Sequence, residues 1–118
     1  MGGLVSLTMA LHHSNRFALC GALSPSLWWN RGHISTELRQ QKKWLRGMRF
    51  WLDMGMREGG RGPVPWCIQG TRDLAAFFDE GGLLPGRDYY YQEVAGGEHD
   101  EEAWAARFDQ VLLYFFGR

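Results

Sequence analysis

Three short segments with the character of strands alternate along the chain with segments of helical periodicity, and this alternation constrains the fold more than any other feature. The strand segments are the apolar run Phe17–Leu23, then Met48–Met54, and the tyrosine-rich Asp88–Val94. A helical pattern stands before the first segment and after each of the three. Strands that alternate with helices pair in parallel, because each crossover returns the chain to the same end of the sheet. We therefore predict an α/β fold with three parallel strands alternating with helices.

Turn and capping residues set the limits of the predicted helices. These helices are Gly3–His13, a segment from Ser35 or Thr36 to about Arg46, a segment from Thr71 or Asp73 to the Gly81-Gly82 pair, and a segment capped by Asp100. The first is apolar nearly all round, which indicates burial on several sides. In the last, the spacing predicts an inward stripe of Trp104, Phe108, Val111, Leu112 and Phe115. The continuous apolar run Phe17–Leu23 is typical of a central strand covered on both faces.

Composition narrows the function classes. The chain of 118 residues allows one domain, and its 13 Lys plus Arg balance 13 Asp plus Glu. Nucleic-acid and anionic-membrane proteins carry clustered positive charge, so neither partner is expected. No apolar stretch is long enough to span a bilayer, and no targeting signal is evident, which favours a cytoplasmic location if Met1 is the true amino terminus. The two cysteines, Cys20 and Cys67, are expected to be free thiols.

One acid and one histidine follow the predicted strands in an order that suggests hydrolysis. In parallel α/β sheets, ligands bind outside the carboxyl ends of the strands. Asp53 and Glu58 lie at the end of the second strand, and His99 follows the third. An acid can orient an imidazole that accepts a proton from a hydroxyl nucleophile. Such a nucleophile belongs on a strand-to-helix turn, and the chain begins Met1-Gly2-Gly3 directly before a helix. With a serine before Met1, these glycines would let the helix approach the strand closely.

Four motifs in order resemble the putative esterase family of α/β-hydrolases, which includes siderophore, feruloyl and acetyl-xylan esterases and esterase D relatives. They are Met1-Gly2-Gly3, Ser24-Pro25-Ser26-Leu27-Trp28-Trp29, Leu52-Asp53-Met54-Gly55 with Glu58, and Gly97-Glu98-His99-Asp100-Glu101-Glu102-Ala103-Trp104. The resemblance covers nearly all of the chain but only the carboxyl-terminal half of the family's domain. It implies a partial α/β-hydrolase domain over residues 1–118 that begins just after the nucleophile position.

The resemblance also implies roles for individual residues. His99 corresponds to the catalytic histidine and Glu58 to the triad acid. Met1 corresponds to the residue after the nucleophile, whose backbone amide contributes to the oxyanion hole. Trp28 and Trp29 correspond to aromatic residues near the substrate pocket. The implied reaction is hydrolysis of a small-molecule carboxylic ester by a Ser-His-acid triad, with no metal and no organic cofactor.

Each of these assignments has a simpler structural alternative. His99 could be a solvent-facing loop residue, and Glu58 could belong to a charged surface loop, in which case Asp53 is the rival acid. Trp28 and Trp29 could be lid or core residues, because aromatic pairs more often pack than bind. The remaining histidines are expected to be structural or surface residues. Ser24 and Ser26 are poor nucleophile candidates, because they flank a proline and lack the Gly-x-Ser-x-Gly context.

The sequence favours the carboxyl-terminal part of a serine esterase that lacks its serine and is inactive alone. The alternatives are an inactive remnant or ligand-binding half-domain, and assembly with a separate amino-terminal half that supplies the serine. In the last case the strand at Phe17–Leu23 would be the docking edge. The identity of the ester and the oligomeric state are not indicated.

Overall fold

The computed structural model describes residues 1–60 and 62–117. Helices and strands alternate throughout, as the sequence predicts. In chain order they are α1 (Gly2–His12), β1 (Leu19–Leu23), α2 (Trp29–Gln40), a 3-10 turn (Lys42–Leu45), β2 (Arg49–Gly55), α3 (Ile68–Glu80), β3 (Tyr89–Val94) and α4 (Glu101–Phe116). The three strands form a parallel sheet in the order β1-β2-β3. The chain is therefore an open α/β fold.

The alternation of side chains along β2 divides the core between the two faces of the sheet. Phe50 and Leu52 belong to a cluster that includes apolar residues of α1, α2 and α3, so these three helices cover one face. Trp51 points the other way and lies against Tyr114 of α4, with the ring centroids 6.0 Å apart. Helix α4 thus covers the second face, and the sheet lies between two helical layers.

Helix α4 is tied to the sheet at its carboxyl end by Arg49, the first residue of β2. The guanidinium donates to the carbonyl oxygens of Tyr114, at 2.6 Å, and Phe115, at 3.2 Å. These carbonyls belong to the last helical turn, which has no intrahelical donors for them. A cation at that position also interacts favourably with the helix dipole.

Glycine permits a close approach of α1 to the sheet, but at only one of the two predicted positions. A Cβ on Gly3 would lie 2.8 Å from the carbonyl oxygen of Leu23 and 3.0 Å from Pro25. A Cβ on Gly2 would meet nothing within 4 Å. Gly3 is therefore the residue that lets α1 pack against the end of β1.

Among the three strands of the described residues, β2 is central and β1 pairs with β2 alone. Several predicted details of the helices are wrong. Val5 and Met9 leave one side of α1 exposed. Phe108 and Leu112 also face solvent, because the inward face of α4 is the one that carries Arg107 and Val111.

Within residues 1–60 and 62–117, none of the helices combines the length and apolarity that crossing a bilayer requires.

Candidate active site

Three loops at the carboxyl ends of the strands converge on one site. Ser24 directly follows β1, Glu58 lies in the turn after β2, and His99 lies in the loop between β3 and α4. Parallel strands end at the same edge of a sheet, so residues distant in sequence meet there. The sequence predicted Glu58 and His99 at this edge, and the structure brings the two side chains into contact.

The contact between His99 and Glu58 is a directed hydrogen bond. His99 Nδ1 lies 2.8 Å from Glu58 Oε2. An ionised carboxylate can only accept hydrogen bonds, so the proton of this pair belongs on Nδ1. The imidazole therefore keeps Nε2 available as a base. About half of the His99 side chain is exposed, whereas that of Glu58 is buried.

Glu58 is held by its second oxygen. Oε1 accepts a hydrogen bond from the backbone nitrogen of Gly55 at 2.9 Å and another from the hydroxyl of Ser24. Two donors on one oxygen fix the plane of the carboxylate and direct Oε2 toward His99. A buried carboxylate needs such partners, because desolvation without them is costly.

The rival acid, Asp53, makes different contacts. Its carboxylate forms two hydrogen bonds with the guanidinium of Arg107, from Nε to Oδ2 at 2.9 Å and from Nη2 to Oδ1 at 2.8 Å. It also accepts from the indole nitrogen of Trp51 and from the backbone nitrogen of Ser24. Asp53 and Arg107 are both almost fully buried. The geometry therefore places Glu58, not Asp53, against the imidazole.

A cavity of about 280 Å³ connects His99 with the beginning of the chain. Met1, Ser24 and Trp104 line it together with His99. The ring of Trp104 meets the imidazole edge-on, with the centroids 4.9 Å apart, and supports it from α4. The position assigned to the oxyanion-hole residue thus borders the same space as the histidine.

Two tryptophan side chains contribute to the lining of a second, smaller opening beside Glu58 and His99. This cleft of about 140 Å³ is lined by Trp28, Trp66, Cys67 and His99. Trp28 packs against Trp66 at 5.5 Å and against Trp29 at 6.1 Å between centroids. All three indoles are about half exposed. Trp28 borders the cleft, and Trp29 lies behind it.

The remaining candidates lie outside this cluster or have other partners. His12 and His33 both approach Glu37, at 3.5 and 3.7 Å, on the exposed side of the α1–α2 layer. Ser6 donates to the carbonyl oxygen of Gly2 within α1. Ser26 Oγ accepts from the nitrogen of Met1 at 3.4 Å. A larger cavity of about 670 Å³ opens at the opposite end of the sheet, around Met48 and Leu83.

Neither cysteine has the environment of a reactive thiol. Both are free, and burial raises the pKa of Cys20 to about 12. Burial also raises the pKa of Cys67, and the negative charge of Glu58 raises it further. A thiolate is the reactive form, so both shifts suppress nucleophilic chemistry. In the part of the chain that the structure describes, no three His, Cys, Asp or Glu side chains form a metal-ligand group.

Two members of the cluster were not predicted. Trp66 is separated from Trp28 by α2, the 3-10 turn, β2 and the loop after β2, and nothing in the sequence pairs the two indoles. Arg107 is absent from the inward stripe predicted for α4, although the structure buries it. The inward spacing of Arg107 and Val111, four residues apart, was the available signal.

The comparisons with known proteins agree on one fold. The family model described as Putative esterase matches residues 1–115. The BES protein from Bacillus cereus superposes with a TM-score of 0.72 at 19% identity, over 95% of this chain and 41% of that one. The siderophore hydrolase EstA from Aspergillus nidulans gives a TM-score of 0.70 at 22% identity, over 99% of this chain and 46% of that one. The chain thus spans less than half the length of either structure. No curated protein matches the sequence.

Proposed function

The chain belongs to the Putative esterase family, and from that premise we propose that it carries the histidine and the acid of a serine esterase. The proposed reaction is hydrolysis of a small-molecule carboxylic ester through an acyl-enzyme. The observation that supports it most is the 2.8 Å hydrogen bond between His99 Nδ1 and the buried Glu58 carboxylate at the carboxyl edge of the sheet. A proton-accepting imidazole oriented by an acid is the arrangement that such hydrolysis requires.

In the proposed mechanism, His99 acts at the nitrogen that Glu58 leaves free. A serine immediately before Met1 in a longer chain, or on a separate amino-terminal half, attacks the ester carbonyl. Nε2 of His99 takes the serine proton, returns it to the leaving alcohol, and then activates water in the same way to release the acid. Glu58 stabilises the imidazolium that forms in both steps. These proton transfers run between side chains and need neither a metal nor an organic cofactor.

The oxyanion hole is proposed to include the backbone nitrogen of Met1. Met1 and His99 line the same cavity, so an amide there could reach the oxygen of a carbonyl attacked beside the imidazole. Amide donors at the start of a helix are well suited to a developing negative charge. The second donor would come from outside residues 1–118.

Substrate contact is proposed for Trp28, with Trp29 supporting it. Trp28 borders the cleft beside His99 and packs against Trp66 and Trp29. Aromatic rings offer flat apolar surfaces on which a substrate group can lie. The chemical identity of the ester group is left open by this arrangement.

The first test is the in-frame coding sequence immediately upstream of Met1. If it encodes Gly-x-Ser, the extended protein should hydrolyse p-nitrophenyl acetate with burst kinetics. In that protein, His99→Ala should lower kcat roughly 10⁴- to 10⁶-fold, because the triad acts as a unit. His33→Ala is the matched control, since His33 is exposed and pairs with Glu37; it should leave kcat unchanged.

The chain of 118 residues should show no burst by itself. A burst from this chain alone would place the nucleophile within it and overturn the proposed serine position. Full activity of His99→Ala in the extended protein would overturn the role of His99. A stop codon and ribosome-binding site directly upstream of Met1 would instead favour the second candidate function.

That second candidate is a ligand-binding half-domain without turnover. The specific observation in its favour is the exposed group of Trp28, Trp29 and Trp66 beside a cleft. Fluorescence of these indoles should then change on addition of an ester or its product, with no hydrolysis. Trp66→Ala should abolish that change and Trp44→Phe, which alters a buried core residue, should not.

A further inference from the structure

Ser24 occupies an unusual position between the proposed triad acid and a buried arginine. It directly follows β1, is almost fully buried, and has a left-handed backbone conformation with φ of 45°. Non-glycine residues adopt this conformation only when their surroundings enforce it. Here the enforcing contact is Asp53, whose backbone carbonyl and side-chain Oδ1 both accept from the Ser24 nitrogen, at 3.1 and 3.0 Å.

The direction of the hydrogen bonds at the Ser24 hydroxyl is fixed by chemistry. Arg107 Nη2 lies 3.0 Å from Ser24 Oγ, and a guanidinium can only donate. Ser24 Oγ must therefore accept from Arg107, which leaves its single proton for Oε1 of Glu58. The Ser24 hydroxyl and the Gly55 backbone nitrogen both donate hydrogen bonds to Oε1, so Oε2 is left to bond with His99.

Hydrogen bonds from its nitrogen atoms fix the orientation of the Arg107 guanidinium. Its Nε and Nη2 hold both oxygens of Asp53, and Nη1 donates to the carbonyl oxygen of Ala103 at 2.7 Å. Arg107, Asp53 and Ser24, which connect α4 with the carboxylate of Glu58, are thus all buried and hydrogen-bonded to one another. A satisfied buried network of this kind allows one arrangement, whereas a broken one leaves costly unpaired groups.

We propose that Ser24 and Arg107 are positioning residues for the triad acid, acting as a one-way chain of hydrogen bonds from Arg107 through Ser24 to Glu58. The chain sets the carboxylate plane so that Oε2 selects the Nδ1–H tautomer of His99. This inference rests on the proposed function, because it concerns the same His99–Glu58 pair. Neither residue touches the reacting atoms.

The test reads the His99 tautomer directly from the ring nitrogen chemical shifts of the 118-residue chain, at a pH where the ring is neutral. The unmodified chain should show the Nδ1–H form, and Glu58→Ala should lose that preference. Ser24→Gly removes the hydroxyl while suiting the positive φ, and it should also lose most of the preference. Arg107→Lys keeps the charge and one donor but not the fork, and it should lie between these extremes.

Ser26→Gly is the matched control, because Ser26 is a buried serine of the same loop whose hydroxyl is hydrogen-bonded to the Met1 nitrogen and not to Glu58. It should retain the Nδ1–H form, and so should any variant that is merely less stable yet folded. Retention of the Nδ1–H form by Ser24→Gly would overturn the positioning role and leave the His99–Glu58 pair intact. Retention by Glu58→Ala, or absence of the form in the unmodified chain, would overturn the pair itself and the positioning role with it.

Discussion

Two carboxylates stand five residues apart, Asp53 near the end of β2 and Glu58 in the turn after it, and they have different partners. Asp53 is matched by a cation, with both oxygens held by Arg107. Among residues 1–60 and 62–117, no lysine or arginine forms a salt bridge with Glu58, and neutral donors hold one of its oxygens while the other is directed at His99. A carboxylate that must stabilise a transient imidazolium is better left without a permanent counter-ion. Residue identity alone did not separate these two acids.

Gly55 makes room for the turn that holds Glu58. A Cβ at this position would lie 2.6 Å from Glu58 Oε1 and closer still to the carbonyl oxygen of Gly97. Gly55→Ala should therefore push apart the loops of Glu58 and His99 and lower the free energy of unfolding by about 1–3 kcal/mol, the usual cost of overpacking. Urea unfolding measures this change.

Gly2→Ala is the control for that variant, since a Cβ on Gly2 meets nothing within 4 Å. Its stability should be unchanged or slightly raised, because alanine favours a helix over glycine. Equal stability of Gly55→Ala and the unmodified chain would show that the two loops can separate without cost.

The site residues that could be predicted are those that lie in local sequence motifs. His99 and Glu58 lie within local motifs that resemble a family, so their positions were available from the sequence. Ser24, Asp53 and Arg107 are joined across separations of 29 and 54 residues. No local pattern encodes which buried arginine meets which carboxylate, so this network required the three-dimensional fold.

At the scale of elements, a capping side chain marks the start of α4, whereas the starts of α2 and α3 have no such marker. Asp100 was predicted as a cap, and its side chain accepts from the Ala103 nitrogen at 2.8 Å. Helices α2 and α3 begin at Trp29 and Ile68, earlier than predicted, and neither has a side-chain cap. In α2, three residues from Asn30 have positive φ, so its first turn is irregular. Without a capping side chain, the sequence contains no marker for such a start.

The cap of α4 should make a measurable contribution to stability. Asp100→Ala removes the acceptor for the Ala103 nitrogen and a negative charge at the positive end of the helix. We expect a loss of about 1 kcal/mol in the free energy of unfolding, measured by urea titration. Asp109→Ala, an exposed change within the same helix, should cost much less. Similar losses for the two variants would argue against a capping role.

The contact between α3 and β3 should make stability depend on acidity. Arg72 of α3 forms two hydrogen bonds to Glu93 of β3, at 2.7 and 3.0 Å, and these lower the pKa of Glu93. A lowered pKa means that the folded state binds the proton less well than the unfolded state. The stabilisation is therefore complete above the unfolded value of about 4.3 and disappears as the pH falls through the lower folded value.

Glu93→Gln tests this coupling. The variant should melt at a lower temperature than the unmodified chain at pH 7, and the gap should close as the pH falls below about 4. Asp109→Asn, at an exposed site in the middle of α4, should show no such closing difference. A difference in melting temperature that stays constant from neutral to acid pH would mean that the charge of Glu93 does not contribute to stability.

For the whole molecule, the sequence predicted the order of helices and strands but not which surfaces they leave exposed. The strand–helix alternation is a local signal, and it determines a parallel α/β sheet. Which strand lies at the edge, and which apolar side of α4 faces solvent, depends on everything that packs around the sheet. Phe108, Leu112 and Phe116 lie four residues apart along α4 and are all exposed. A periodic stripe alone cannot reveal whether it faces the core or the solvent.

That exposed stripe leads to a prediction for the chain in solution. Contiguous apolar surface on a protein favours association, and β1 adds a strand edge that is unpaired among the described residues. The 118-residue chain should therefore self-associate as its concentration rises, as measured by light scattering. Leu112→Lys, which places a charge in the middle of the stripe, should shift the chain toward monomer. Leu84→Lys, at an exposed leucine away from α4, should not. A stable monomer at all concentrations would show that the stripe is too small to drive association. It would also count against docking of a separate amino-terminal half at the β1 edge.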